Sequence, residues 1–166
     1  MPTRTATCAC GAVEIALDGP PIATLSCCCD DCQAAAARLE ALPGAPAFRE
    51  DCGGTPATLY PRRALKVTRG RDKLDPVRLR DGSPTRRMVA TCCNAFLYAD
   101  FDRGPFWVDV VNARFTGDAP RPRWRIQTRF LKDPPPGDIP NHPKYPQGLV
   151  WRLALAGVLN GLPGRR

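Results

Sequence analysis

The stretch Ser26-Cys27-Cys28-Cys29-Asp30-Asp31-Cys32-Gln33 places four cysteines within six consecutive positions. Cysteine is ordinarily a scarce, buried small hydrophobe, so core packing does not explain such a loop. Its density points to sulfur chemistry, either metal binding or redox. Two further groups lie far away, Cys8-Ala9-Cys10-Gly11 before it and Thr91-Cys92-Cys93-Asn94 after it, and Cys52 stands alone among the nine. An odd number of cysteines, several of them adjacent, makes a poor disulfide framework and favours thiolate ligands.

Zinc prefers soft thiolates in a tetrahedron: structural sites take four, and catalytic sites keep three protein ligands and one exchangeable position. The groups divide along that line. Cys8 and Cys10 present two sulfurs from a hairpin turn, and Cys92 and Cys93 are expected to clasp the same ion, tying the N-terminal hairpin to the middle of the chain. Cys27, Cys29 and Cys32 wrap a turn and a helix start around a second ion. In the first helical turn the dipole and free N–H groups favour a thiolate at Cys32.

The surrounding pattern is rich in strands. Val13, Ile15 and Leu17 alternate with Ala12, Glu14 and Ala16, so residues 5–8 and 12–17 read as a hairpin. Strands are expected over 22–26, 57–60, 64–68, 77–80, 87–91, 95–99 and 106–111. The alternation of Trp124, Ile126, Thr128 and Phe130 with Arg123, Arg125, Gln127 and Arg129 predicts one more. A short helix should follow the central cysteines, capped by Asp30 or Asp31 and stopped by Pro43-Gly44. Cys52-Gly53-Gly54-Thr55 reads as a turn. The fold class is therefore mainly β, α+β.

At 166 residues the chain suffices for one domain with a real core. We expect a zinc-binding β domain over 1–132, with a Pro-rich connection and a C-terminal helix over 133–166 packed on it. Leu149, Trp151, Leu153, Leu155, Val158 and Leu159 give that helix a broad apolar face, weakened by Gly157 and Gly161, for docking on the body or for a homodimer contact. Gly148 to Leu159 is too short to span a bilayer and contains Arg152, so no membrane association is expected. With Arg4, Glu14 and Asp18 interrupting the N-terminal region no secretory signal is visible, and a cytoplasmic chain starting near Met1 is the expectation.

Residues 62–132 carry seventeen Lys or Arg against seven acids, net +10, while residues 1–61 carry net −4. Such a basic middle suits nucleic acid, an anionic membrane surface or an acidic small molecule, or is simply a solvated arginine-rich surface. His142 has no second histidine to work with and reads as a surface or packing residue. Trp107, Trp124 and Trp151 read as core or subunit-contact residues.

The order Cys-x-Cys-Gly, then Cys-x-Cys-x-x-Cys-Gln, then a late cysteine pair before an apolar strand resembles the family of glutathione-dependent formaldehyde-activating enzyme and centromere protein V. Cys-x-Cys-Asp-Asp-Cys-Gln-Ala with Gly53-Gly54-Thr55 and Ala-Thr-Cys-Cys is similar to a bacterial branch of it. The resemblance covers about residues 6 to 100. It implies a β-tent fold of small antiparallel sheets, a structural zinc and, in the enzymes, a second zinc at the central triad where a glutathione adduct is handled. Carried over, the structural ligands are Cys8, Cys10 and Cys93; the fourth family cysteine falls on Ala90, with Cys92 the nearest replacement. Asn94 stands at a usual glycine, and Cys28 where the enzymes have histidine. Cys28 either closes the second site as a fourth ligand or points away as a free thiol.

Two functional classes follow. One is a carbon-sulfur lyase acting on S-hydroxymethylglutathione or another thiol adduct, with zinc as Lewis acid and arginines from 62 to 87 holding carboxylates. The other is a non-catalytic zinc-stabilised module for a protein or nucleic acid partner. A thiol-redox or metal-sensing role through Cys28 or Cys52 is a third.

Overall fold

The computed structural model describes residues 3–160, and every statement below concerns those residues. In chain order the strands are β1 (Thr3–Thr7), β2 (Glu14–Asp18), β3 (Ala23–Cys27), β4 (Thr55–Pro61), β5 (Leu65–Arg69), β6 (Leu74–Val77), β7 (Thr85–Ala90), β8 (Ala95–Phe101), β9 (Trp107–Val111), β10 (Arg125–Ile126) and β11 (Asn141–His142). Helix α1 (Asp30–Glu40) follows the central cysteines, and α2 (Gln147–Asn160) ends the described chain.

The strands form two sheets. One has the order β1-β2-β5; the other has eight strands in the order β11-β10-β3-β4-β9-β8-β7-β6. The α+β class is as expected. The larger sheet is antiparallel except at one end, where β10 runs parallel to both β3 and β11. This addition uses the tail: the Arg125 N–H donates to the Pro140 carbonyl at 2.9 Å.

Alternation along the strands explains the core. Ile15 and Leu17 of β2 are fully buried and pack with Ala6, Val13, Tyr60, Leu97, Val108 and Val110 between the sheets. Each such Val, Leu or Ile contributes roughly 1.5–3 kcal/mol by leaving water. On the other face of the large sheet, α1 lays Ala36 and Leu39 against Phe48, Val89, Phe96 and Val111. Leu149 of α2 packs on Leu25, Leu59 and Ile126, so both helices cover the same sheet around the ends of β3 and β10.

Three local expectations need correction. The strand expected over 77–80 ends at Val77, because residues 78–83 turn back to enter β7. The run expected over 123–130 is a strand only at Arg125–Ile126. Gln127 takes a left-handed conformation (φ 59°) and a 3-10 turn over Thr128–Phe130 follows, so the alternation beyond Ile126 does not lie on a pleat. The residue capping α1 is Cys29, whose sulfur accepts from the Cys32 N–H, whereas Asp30 accepts only from the adjacent Asp31 N–H.

Helix α2 begins at Gln147, inside the 133–166 segment expected to end in a helix. It buries Leu149, Ala156 and Gly157 but leaves Trp151, Leu155, Val158 and Leu159 exposed. Gly161 lies outside the described residues. No helix is long and apolar enough to cross a membrane.

Candidate metal centres and cavity

All nine cysteines are free thiols, and seven of them converge in two groups. The first joins the turn after β1 to the turn after β7. Gly11 (φ 75°) closes the former, where the Val13 N–H donates to Cys8 Sγ at 3.2 Å. Asn94 (φ 53°) closes the latter; asparagine is among the few residues besides glycine that enter this region readily. Cys92 Sγ lies 3.8 Å from Cys8 Sγ, 3.3 Å from Cys10 Sγ and 4.0 Å from Cys93 Sγ, and Cys8 and Cys10 are 3.6 Å apart.

Zn–S bonds of ~2.3 Å make a tetrahedron with edges of about 3.8 Å, so this donor set matches zinc in chemistry and in spacing. Ala90 is buried in the core, and Cys92 brings the fourth sulfur from two residues further on. A hydrogen bond with the Ala12 backbone, and then the contact with the Cys92 sulfur, lower the Cys10 pKa to about 7.

The second group is Cys27, Cys29 and Cys32, whose sulfurs lie within 4.8 Å of one another. Strand β3 delivers Cys27, the chain turns, and α1 presents Cys32 in its first turn. The Cys27 thiol donates to Cys29 Sγ at 3.5 Å and the Cys32 N–H donates to it at 3.4 Å. Hydrogen bonds from the Cys27 and Cys32 thiols lower the Cys29 pKa to about 3. Those same bonds raise Cys27 and Cys32, because each gives its proton to a neighbouring sulfur, so the thiolate expected at Cys32 falls on Cys29 instead. Unmetallated, the trio therefore holds one thiolate readily; three soft donors at this spacing also suit zinc, with a coordination position to spare.

Cys28 is not in the trio. It is fully buried, and a Cβ placed on Gly54 would lie 3.1 Å from its sulfur and 2.9 Å from Glu50 Oε2. Burial raises its pKa to about 12, so it is a neutral thiol. Behind it Arg125, 4% exposed, pairs with both Glu50 oxygens (3.0 and 3.1 Å) and with Asp138 (2.6 Å). The Ser26 hydroxyl also donates to Glu50, at 2.6 Å. Sequence reasoning missed this network, since no local motif links positions 50, 125 and 138. Cys52 joins it at 3.6 Å from Glu50.

The trio opens on a cavity of about 300 Å³ over one face of the large sheet. Its walls include Leu25, Leu59, Phe96, Trp107, Leu149 and Leu153, with Asp31, Arg87, Asp109 and Tyr145 among the polar groups. Arg87 pairs with Ala99 across β7 and β8, and Ala99 with Asp109 across β8 and β9, so one cross-strand row runs beneath the cavity. Desolvation raises the Asp109 carboxyl to about 7 despite a hydrogen bond from the Trp107 side chain. Sequence reasoning missed Asp109 as well, since an acid inside an apolar strand has no local motif around it.

Several arginines expected to meet substrate are paired internally: Arg62 with Asp100, Arg69 with Glu14, Arg78 with Asp102, Arg80 with Asp31, and Arg86 with Asp100 and Asp102. Of the arginines from 62 to 87, Arg87 is the one that lines the cavity. Trp107 lines it too, whereas Trp151 is 74% exposed. His142 sits in β11 opposite Ile126, which in turn pairs with Cys27 of β3, so His142 lies two strands from that cysteine on one cross-strand row.

A two-sheet α+β body clasped by four sulfurs, with a second thiol trio open to a cavity, defines a cysteine-rich protein equipped to hold metal. The chain belongs to the glutathione-dependent formaldehyde-activating enzyme family, whose sequence model matches residues 3–128. A solved Rhodobacter sphaeroides protein is 18% identical, with 82% of this chain and 98% of that one covered and a TM-score of 0.48. No curated protein matches the chain.

Proposed function

We propose that the protein is a zinc enzyme that makes or breaks a carbon-sulfur bond in a thiol adduct at the centre formed by Cys27, Cys29 and Cys32. One observation carries this reading: the centre has three thiols rather than four, and the side that Cys28 leaves vacant is a cavity. Zinc held by Cys27, Cys29 and Cys32 would supply Lewis acidity toward a sulfur or oxygen of the adduct. The chain's own residues do the rest. The apolar walls exclude water around the adduct, and the Asp109 carboxyl, whose neutral form burial favours, would exchange a proton with its hydroxyl. Family membership supports the same chemistry, with S-hydroxymethylglutathione as the reference substrate.

Cys8, Cys10, Cys92 and Cys93 are the proposed structural zinc ligands. A soluble cytoplasmic setting, where such thiols stay reduced, is part of the same proposal.

The test is zinc stoichiometry combined with adduct turnover. Two ions per chain, with Cys29→Ser losing one ion and all turnover, is the expected result. A protein with one ion and no turnover of any thiol adduct would refute the enzyme. That outcome would favour a second reading, a non-catalytic zinc-stabilised module. Its support is the exposed apolar row Trp151, Leu155, Val158 and Leu159 on α2, suited to a protein partner or a second copy. The internal pairing of many arginines leaves a nucleic acid partner with less support.

A further inference from the structure

Arg87 is 5% exposed and lines the cavity, yet its Nη1 has no hydrogen-bond partner. Its one contact is long, Nη2 to the Asp31 carbonyl at 3.4 Å. Thr55, 7% exposed, lines the same cavity and its Oγ1 is also unpartnered. Buried polar atoms almost always find partners, so two orphans in one cavity indicate a missing polar group there. What Nη1 lacks is an acceptor.

The rest of the cavity answers a different part of the ligand. Leu25, Leu59, Phe96 and Trp107 from the sheet meet Leu149 and Leu153 from α2. The tail residues lie beyond the family match, which ends at 128. A glutathione moiety brings two carboxylates and an ammonium, and these walls offer them little to replace water.

We propose that this cavity holds the organic part of an aromatic or branched aliphatic aldehyde adduct, with its apolar body against the α2 wall and its single oxygen accepting from Arg87. This rests on the reading of Cys27, Cys29 and Cys32 as the reactive centre and replaces a charged tripeptide in the cavity with a compact, mostly apolar group. Arg87 and the tail wall then set specificity, Arg87 for the oxygen and Leu149 and Leu153 for the body.

The test titrates zinc-loaded protein with benzyl alcohol, toluene and reduced glutathione, read by calorimetry. Benzyl alcohol is expected to bind, and Arg87→Met to weaken it about tenfold or more while toluene is unchanged, as for loss of a hydrogen bond from a charged group. Equal weakening of both ligands, no binding of either, or glutathione binding more tightly in the same cavity overturns the proposal. Should Arg87→Met fail to fold, Leu153→Gln on the tail wall decides: it is expected to weaken benzyl alcohol and toluene alike, and unchanged affinity for both overturns the proposal. Turnover of S-hydroxymethylglutathione without binding of benzyl alcohol sinks this inference alone. Benzyl alcohol binding that depends on Arg87, without turnover of any adduct, supports the ligand class and removes only the lyase.

Discussion

Arg87 and Asp109 stand two strands apart on one cross-strand row, with Ala99 between them. At roughly 4.8 Å per strand their backbones are about 10 Å apart, and the small Ala99 side chain leaves room for a ligand to lie over it. Ala99→Leu is expected to fill that room, with a stability change within about 1.5 kcal/mol because the added volume enters a cavity. Binding of benzyl alcohol should fall at least tenfold, measured by calorimetry beside a thermal melt.

The four-sulfur clasp joins two turns distant in sequence, so losing a sulfur loosens both. Cys8→Ser should release metal and lower stability by about 3 kcal/mol or more, close to 10 °C in Tm. Metal analysis and calorimetry on the same sample check it, and unchanged melting with full metal content would count against the clasp.

Cys28 and Cys29 are neighbours with opposite surroundings. Cys28→Ala should keep both ions and cost about 1 kcal/mol for a small buried vacancy. Cys29→Ser should lose the second ion while the fold survives. Zinc counts and denaturant midpoints for the pair of variants separate the two roles.

Asp109 has a folded pKa of about 7, above its unfolded value. The folded state thus binds the extra proton, and the penalty for ionising it in place grows as pH rises from about 4 to about 7, then stays constant. Asp109→Asn removes that penalty. The variant should gain on wild type across this window, on the order of 3 kcal/mol at pH 8, and match it below pH 4. Denaturant titrations at several pH values read the difference directly.

The buried Arg125 is held by Glu50 and Asp138. Arg125→Met should cost about 3–5 kcal/mol, because Glu50 keeps its charge without its partner. Adding Glu50→Gln should recover part of the loss. A double-mutant cycle measures the coupling.

Much of this was legible in the chain. The alternation of Val13, Ile15 and Leu17 placed β2, because periodicity reports burial directly, whereas the apolar run of α2 marked a helix but not a buried face, since Trp151, Leu155, Val158 and Leu159 are exposed. Cysteine spacing sorted seven sulfurs into the two groups that the fold brings together. The orientation of Cys28 follows from the same pleat: Ser26 and Cys28 share one side of β3 as it runs on, while Leu25 and Cys27 share the other. What stayed hidden depends on pairing between remote strands. Neither the row Arg87-Ala99-Asp109 nor the contact of Arg125 with Glu50 has a local signature, and the early end of β10 turns on a single left-handed residue, Gln127.

The tail supplies Tyr145, Leu149 and Leu153 to a cavity whose floor and thiols come from earlier in the chain. Docking of that tail and occupancy of the cavity therefore share one free energy. Whatever factor a ligand adds to the adherence of α2, α2 adds to the affinity of the ligand. Anything that draws the exposed Trp151 and Leu155 row off the body would empty the cavity without touching a sulfur, and filling the cavity would resist it equally.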